Sequence, residues 1–133
     1  MIVVDTNVIA YLWIPGTHTR LAERALEKDP AWCAPLLWRS EFRNVLAGYL
    51  RRGFLGLPVA LQIAAEAESQ MGGHEYSVPS AEVLRRAAGA SCSAYDCEFV
   101  VLAEELSVPL VTTDRQLLHA FPASAVSLAK YVA

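Results

Sequence analysis

Ile2-Val3-Val4-Asp5-Thr6-Asn7, the stretch that follows Met1, runs three β-branched apolar residues into a carboxylate. An apolar run without alternation reads as a short strand buried on both faces, as in a parallel sheet covered by helices. Val8-Ile9-Ala10-Tyr11-Leu12-Trp13 then reads as a helix. Asp5 therefore falls on a strand-to-helix turn at the carboxyl edge of a sheet, where open α/β sheets bind ligands. An aspartate in front of a helix is equally a favoured N-cap, worth about 1 kcal/mol. Taken alone, Asp5 supports either reading.

Outward from this strand the chain alternates short apolar runs with helical patterns. Pro15-Gly16 breaks the first helix, Thr17 or Thr19 caps a second that ends near Lys28, and Asp29-Pro30 follows. Trp32-Cys33-Ala34 is a short second strand, and Pro35 at a first helical position opens a third helix over residues 36–52. Leu37, Phe42, Val45, Leu46, Tyr49 and Leu50 form its apolar face, with Glu41 inside the helix between Arg39 and Arg43. A fourth helix spans residues 59–70, Glu75 to Val78 make an edge strand, and Pro79 opens a fifth helix. Ser93-Ala94-Tyr95-Asp96 starts a sixth. Val108 to Thr113 forms a buried strand ending at Asp114, a helix follows over residues 115–120, and residues 125–128 make the last strand. This order predicts an α/β protein: a three-layer α/β/α sandwich with a short, mainly parallel central sheet, built as one domain over residues 1–133.

Two strands end alike, Val3-Val4-Asp5 and Thr112-Thr113-Asp114, and so place two aspartates at one edge of the sheet. Asp96 lies in the first turn of a helix, and Glu41 projects from another helix one turn past its start, so the four acids can converge. Capping accounts for Asp5, Asp96 and Asp114 one at a time. It does not account for Glu41. Four clustered carboxylates with no base in these motifs would repel one another strongly. A hard divalent cation, Mg²⁺ or Mn²⁺, which takes oxygen ligands, removes that conflict.

These motifs resemble the PIN-domain ribonucleases, in particular the VapC-type toxins of toxin-antitoxin pairs. The resemblance runs along nearly the whole chain: Val4-Asp5-Thr6-Asn7, then Ser40-Glu41-Phe42-Arg43-Asn44-Val45-Leu46, Ser93-Ala94-Tyr95-Asp96 followed by Leu102-Ala103, and Val111-Thr112-Thr113-Asp114-Arg115. It implies a Mg²⁺- or Mn²⁺-dependent endoribonuclease that leaves a 5′-phosphate and a 3′-hydroxyl, with Asp5, Glu41, Asp96 and Asp114 as the catalytic, metal-holding acids. Asn7 and Thr112 or Thr113 match small polar positions that orient ligands or bind water. The resemblance also implies a homodimer and a cognate antitoxin lying across the acidic groove. One departure stands out: many members carry a further acid two residues after the last aspartate, where this chain has Gln116. Glu98 is the possible substitute.

Phosphodiester hydrolysis by two carboxylate-held cations needs no covalent nucleophile. Arg39, Arg43 and Arg115 are the candidates for gripping RNA phosphates, Arg43 because it flanks Glu41; Arg51 and Arg52 read equally as a solvated helix end. Single-stranded RNA loops are the expected substrate. The net charge of -3 argues mildly against a generic nucleic-acid binder. With four of the 14 acids set aside in one pocket, however, the rest are about balanced by 11 bases.

At 133 residues, 54% of them hydrophobic and 19% charged, the chain can bury a single core. No apolar stretch is long enough for a bilayer and the first residues lack a basic leader, which predicts a cytoplasmic protein. Cys33, Cys92 and Cys97 fit neither a disulfide framework nor a zinc site. Two other classes remain open. One is an α/β phosphatase or phosphotransfer domain using Asp5, although the positions where such domains carry a paired acid, a second aspartate and a late-strand lysine hold Val4, Asn7 and Thr113-Asp114. The other is a non-catalytic interaction domain of the same fold.

Overall fold

In a computed structural model all residues from Met1 to Ala133 are described. Five strands form one sheet: β1 (Ile2–Val4), β2 (Trp32–Pro35), β3 (Glu75–Tyr76), β4 (Leu110–Thr112) and β5 (Ala125–Ser127), in the order β3-β2-β1-β4-β5. Every pairing is parallel. Eight helices connect and cover the sheet: α1 (Thr6–Trp13), α2 (Thr19–Lys28), α3 (Trp38–Arg51), α4 (Leu57–Met71), α5 (Ser80–Ala88), α6 (Ala94–Leu106), α7 (Arg115–Ala120) and α8 (Leu128–Val132). The three-layer α/β/α reading holds.

Right-handed crossovers explain the layers. The chain steps from β1 to β2 to β3 in one direction, which puts α1 to α4 on one face. It then returns past β1 to β4, which puts α5 and α6 on the other, α6 lying across β1, β2 and β4. The strand order thus reverses between β1 and β4, and an open α/β sheet forms its ligand crevice at such a point. All three residues of β1 are buried, as their unbroken apolar run requires. Trp32, Trp38, Phe42 and Phe99 fill the core around them, and Cys33, Cys92 and Cys97 are buried free thiols. No helix is long and apolar enough to cross a membrane.

Several element ends shift by a residue or two from the sequence reading, and three differences have a physical cause. Pro35 ends β2 instead of opening α3, because the ladder to β3 is carried by the N–H groups of Ala34 and Leu36, at 3.1 and 2.9 Å from His74 O and Tyr76 O; the missing proline donor costs nothing there. Helix α3 therefore starts at Trp38, and Glu41 lies in its first turn. Thr19 does not cap α2, since its hydroxyl donates to the Tyr11 carbonyl at 2.7 Å and the cap position falls to His18. At the C-terminus Ser127 caps the short helix α8, which the sequence reading omits. Gly53 closes α3 with φ 75°, a left-handed conformation that suits glycine.

Candidate active site

The parallel register that aligns Val4 with Val111 sets Asp5 beside Thr112 at the carboxyl ends of neighbouring strands. Thr112 is fully buried, and its hydroxyl donates to Asp5 Oδ2 at 2.8 Å while accepting the Asp114 backbone N–H at 3.0 Å. One threonine thus ties together the two strand-end aspartates. Asp5 occupies the N-cap position of α1, yet its side chain makes no capping bond. Asp114 does cap α7: its Oδ1 accepts from the N–H groups of Gln116 and Leu117 at 2.8 and 3.3 Å. The capping explanation therefore describes Asp114 and fails for Asp5. Glu41 is held by Thr6, whose hydroxyl donates to its Oε1 at 2.7 Å. Asp96 sits in the first turn of α6, where Ser93 caps the helix by accepting the Asp96 N–H at 3.1 Å.

Asp5, Glu41, Asp96 and Asp114 line one cavity of about 230 Å³, with Thr6, Asn7, Asn44 and Val45. No lysine, arginine or histidine lines it, and the ion pairs of the chain all go to other acids. Such a cluster resists full ionisation. Asp5 is only 9% exposed, and burial pushes its carboxyl up to about 6; the Thr112 bond opposes that rise, while the charges of Glu41 and Asp96 add to it. Burial also raises Glu41, against the Thr6 bond and with help from Asp96 and Glu98. Asp96 is raised by burial and then by Asp114. The donor set is all oxygen and anionic, the chemistry that suits Mg²⁺ or Mn²⁺. As the side chains stand, no three acids close on a single ion, so such an ion would keep waters in its shell.

The other predicted residues separate. Asn7 is on the cavity wall, while Thr113 lies behind it, 3.0 Å from the Tyr11 hydroxyl. Arg39 and Arg43 do not line the acidic cavity. Two residues along a helix turn the side chain by about 200°, so both face away from Glu41, toward α4. Arg39 grips Glu75 on the edge strand through Nε and Nη2, at 2.5 and 2.8 Å, and Glu68 through Nη1 at 2.6 Å. Arg43 approaches Glu68 at 3.9 Å. Arg115 stands exposed at the start of α7, next to Asp114. Glu98 lines a separate hollow with Val83 and Leu84, again because it is two residues from Asp96 on one helix. Gln116 reaches the Ser91 carbonyl at 2.9 Å and ties the loop before α6 to α7.

The PIN domain family matches residues 2–121. This chain belongs to the PIN-domain family. It is 32% identical over 125 residues to Ribonuclease VapC3 of Pyrobaculum aerophilum, covering 92% of this chain and 95% of that protein. Its fold is shared with the solved structure of PAE2754 from Pyrobaculum aerophilum, at TM-score 0.77 and 22% identity over 98% of this chain and 92% of that one. It is shared also with FitAcB from Neisseria gonorrhoeae, at TM-score 0.74 and 18% identity over 97% and 99% of the two chains. The likeness to VapC ribonucleases carried by the four motifs is borne out.

In this PIN domain two cavity residues escaped the sequence reading, Thr6 and Asn44. Both lie inside the motifs, and Asn44 follows Glu41 by three residues, the spacing that puts two helical side chains on one face. Thr112→Val keeps the shape of the side chain and removes both of its bonds. It is expected to destabilise the fold by about 1–3 kcal/mol, because a buried carboxylate oxygen and an N–H lose their partners. A chemical-denaturation series checks this. Arg39→Ala is expected to lower the melting temperature by loosening the tie between α3, α4 and β3.

Proposed function

We propose that this PIN domain is a metal-dependent endoribonuclease, the toxin of a toxin-antitoxin pair, and that Asp5, Glu41, Asp96 and Asp114 hold Mg²⁺ or Mn²⁺. The observation that carries the reading is the gathering of four acids in one cavity with no neutralising base. The identity with a protein named as a ribonuclease, along almost all of both chains, supports RNA as substrate. When bound, a divalent cation supplies Lewis-acid charge that acidifies the attacking water and offsets charge on the phosphate and leaving oxygens.

The chain's own groups orient that chemistry. Thr112 and Thr6 fix one oxygen each of Asp5 and Glu41 and leave the other free for a ligand. Asp114, with Oδ1 spent on α7, offers Oδ2. A carboxylate of the cluster accepts the proton of the attacking water. Asn7 and Asn44, exposed on the cavity wall, offer amide donors to phosphate oxygens. Arg115 is the base placed to meet the backbone as it leaves the cavity.

Two further assignments rest on the family and on the surface. Phe54, Leu57 and Leu61 stand exposed on α4 and the turn before it, an apolar surface of the kind that a protein partner covers. A cognate antitoxin and a second copy of the chain are the proposed partners. Incubating the purified protein with total RNA in Mg²⁺ or in EDTA, and sequencing the new ends, tests the function. Metal-dependent cuts that leave 5′-phosphates are expected; metal-independent cleavage removes the mechanism, and no cleavage favours a non-catalytic domain.

A further inference from the structure

A second cavity, of about 220 Å³, opens beside the acidic one. The two share Asn7 and Val45 as a common wall. Tyr11, Thr17, His18 and Tyr49 are among the residues that line the remainder, from α1, the turn after it and α3. Glu41, Val45 and Tyr49 recur every four residues on α3, so an acid, the shared wall and an aromatic ring follow one stripe at steps of ~6 Å. Tyr11 is anchored to the end of β4, its hydroxyl 3.0 Å from Thr113 Oγ1, one residue before Asp114. Its ring stacks on His18 with centroids 4.4 Å apart and planes 18° from parallel.

The lining contains no acid, lysine or arginine, so the hollow does not suit a phosphate. It offers aromatic faces instead, with a hydroxyl, ring nitrogens and an amide at their edges. Its volume lies below the roughly 300–1,000 Å³ of sites for drug-sized ligands and matches a single planar heterocycle better than a folded segment. Protein sites for single-stranded RNA hold splayed bases on such aromatic rings and read their edges by hydrogen bonds. A base attached to a phosphate in the acidic cavity would arrive at this hollow through the shared wall. We propose that the cavity between α1, the α1–α2 turn and α3 seats one unstacked base of the RNA, adjacent to the phosphate to be cut. This rests on the nuclease reading of the acidic cavity.

The test uses short RNA spanning a mapped cleavage site, with each base near the cut replaced in turn by an abasic residue. Wild-type protein, His18→Ala and His18→Phe are compared; His18 is exposed, and circular dichroism checks that the variants fold. One abasic position is expected to raise the wild-type KM by about fivefold to a hundredfold, the range that loss of one stacked base brings. His18→Ala is expected to raise KM similarly on intact RNA and to add nothing on that abasic RNA, while His18→Phe restores stacking and most of the affinity. A wild-type enzyme that cleaves but ignores every abasic position, or a His18→Ala enzyme with wild-type KM and base preference, overturns the base seat and leaves the nuclease reading standing. If His18→Ala keeps its RNA kinetics and loses only inhibition by a protein partner, the hollow belongs to that partner and the proposal falls. A wild-type protein that cleaves no RNA overturns the nuclease reading and this one with it.

Discussion

Asp5→Asn is expected to abolish RNA cleavage and, in metal-free buffer at pH 8, to make the protein more stable. The loss of activity should exceed the roughly 10–100-fold that removing a group which merely supports a metal ligand costs, because Asp5 is proposed as the ligand itself. The gain in stability follows from burial. Asp5 is 9% exposed with its carboxyl pushed up to about 6, so ionising it in the folded chain is costly. An unfolded aspartate titrates near 3.9, and the gap between the two values amounts to about 3 kcal/mol at pH 8. An amide of the same shape avoids that cost and still accepts the Thr112 hydroxyl, although it too must leave water. The expected net gain is about 1–3 kcal/mol. Urea denaturation of the two proteins measures it; a variant less stable than wild type at pH 8 would mean that burial does not make ionised Asp5 costly.

The same burial makes stability depend on pH and on metal together. Between about pH 4 and pH 6 the native state keeps the Asp5 proton that the unfolded chain has already released, so metal-free stability falls as pH rises through that window and levels off above it. Glu41 and Asp96, whose carboxyls burial also raises, push in the same direction. The proposed divalent cation would bind the ionised acids and compete with their protons. Mg²⁺ or Mn²⁺ at 100 times its dissociation constant at pH 8 should therefore stabilise the wild type by about 2.7 kcal/mol, and the same concentration should stabilise it less at pH 5. The shift should vanish in Asp5→Asn. Melting curves at the two pH values, with metal and with EDTA, check all of this at once; an equal shift in the variant would place the metal elsewhere on the chain.

How far the primary structure spoke for itself differs from one residue to the next. The β1 run and the repeated strand-then-aspartate ending were legible because a strand buried on both faces has no other composition open to it. The adjacency of β1 and β4 was not, since strand order comes from crossover packing, and with it went the buried Thr112 that ties Asp5 to Asp114. The pairing of Arg39 was not legible, because its partner, Glu75, lies 36 residues away on an edge strand, where only the tertiary fold brings the two together. Arg43 lies two residues from Glu41, and adjacency in sequence is not adjacency on a helix, so its side chain turns toward Glu68. Pro35 could equally have opened a helix or ended a strand until the bonds to β3 were known. Tyr11 and His18 carried no signal at all, since two rings seven positions apart across Pro15-Gly16 meet only when the turn has folded.

The central claim is that these four acids together hold a divalent cation. An anomalous difference map from crystals soaked in Mn²⁺ tests it directly. Density for manganese is predicted in the cavity lined by Asp5, Glu41, Asp96 and Asp114, and is predicted to be lost in crystals of Asp5→Asn. A cavity without manganese density at a concentration that supports RNA cleavage, or manganese bound only outside it, would contradict the account.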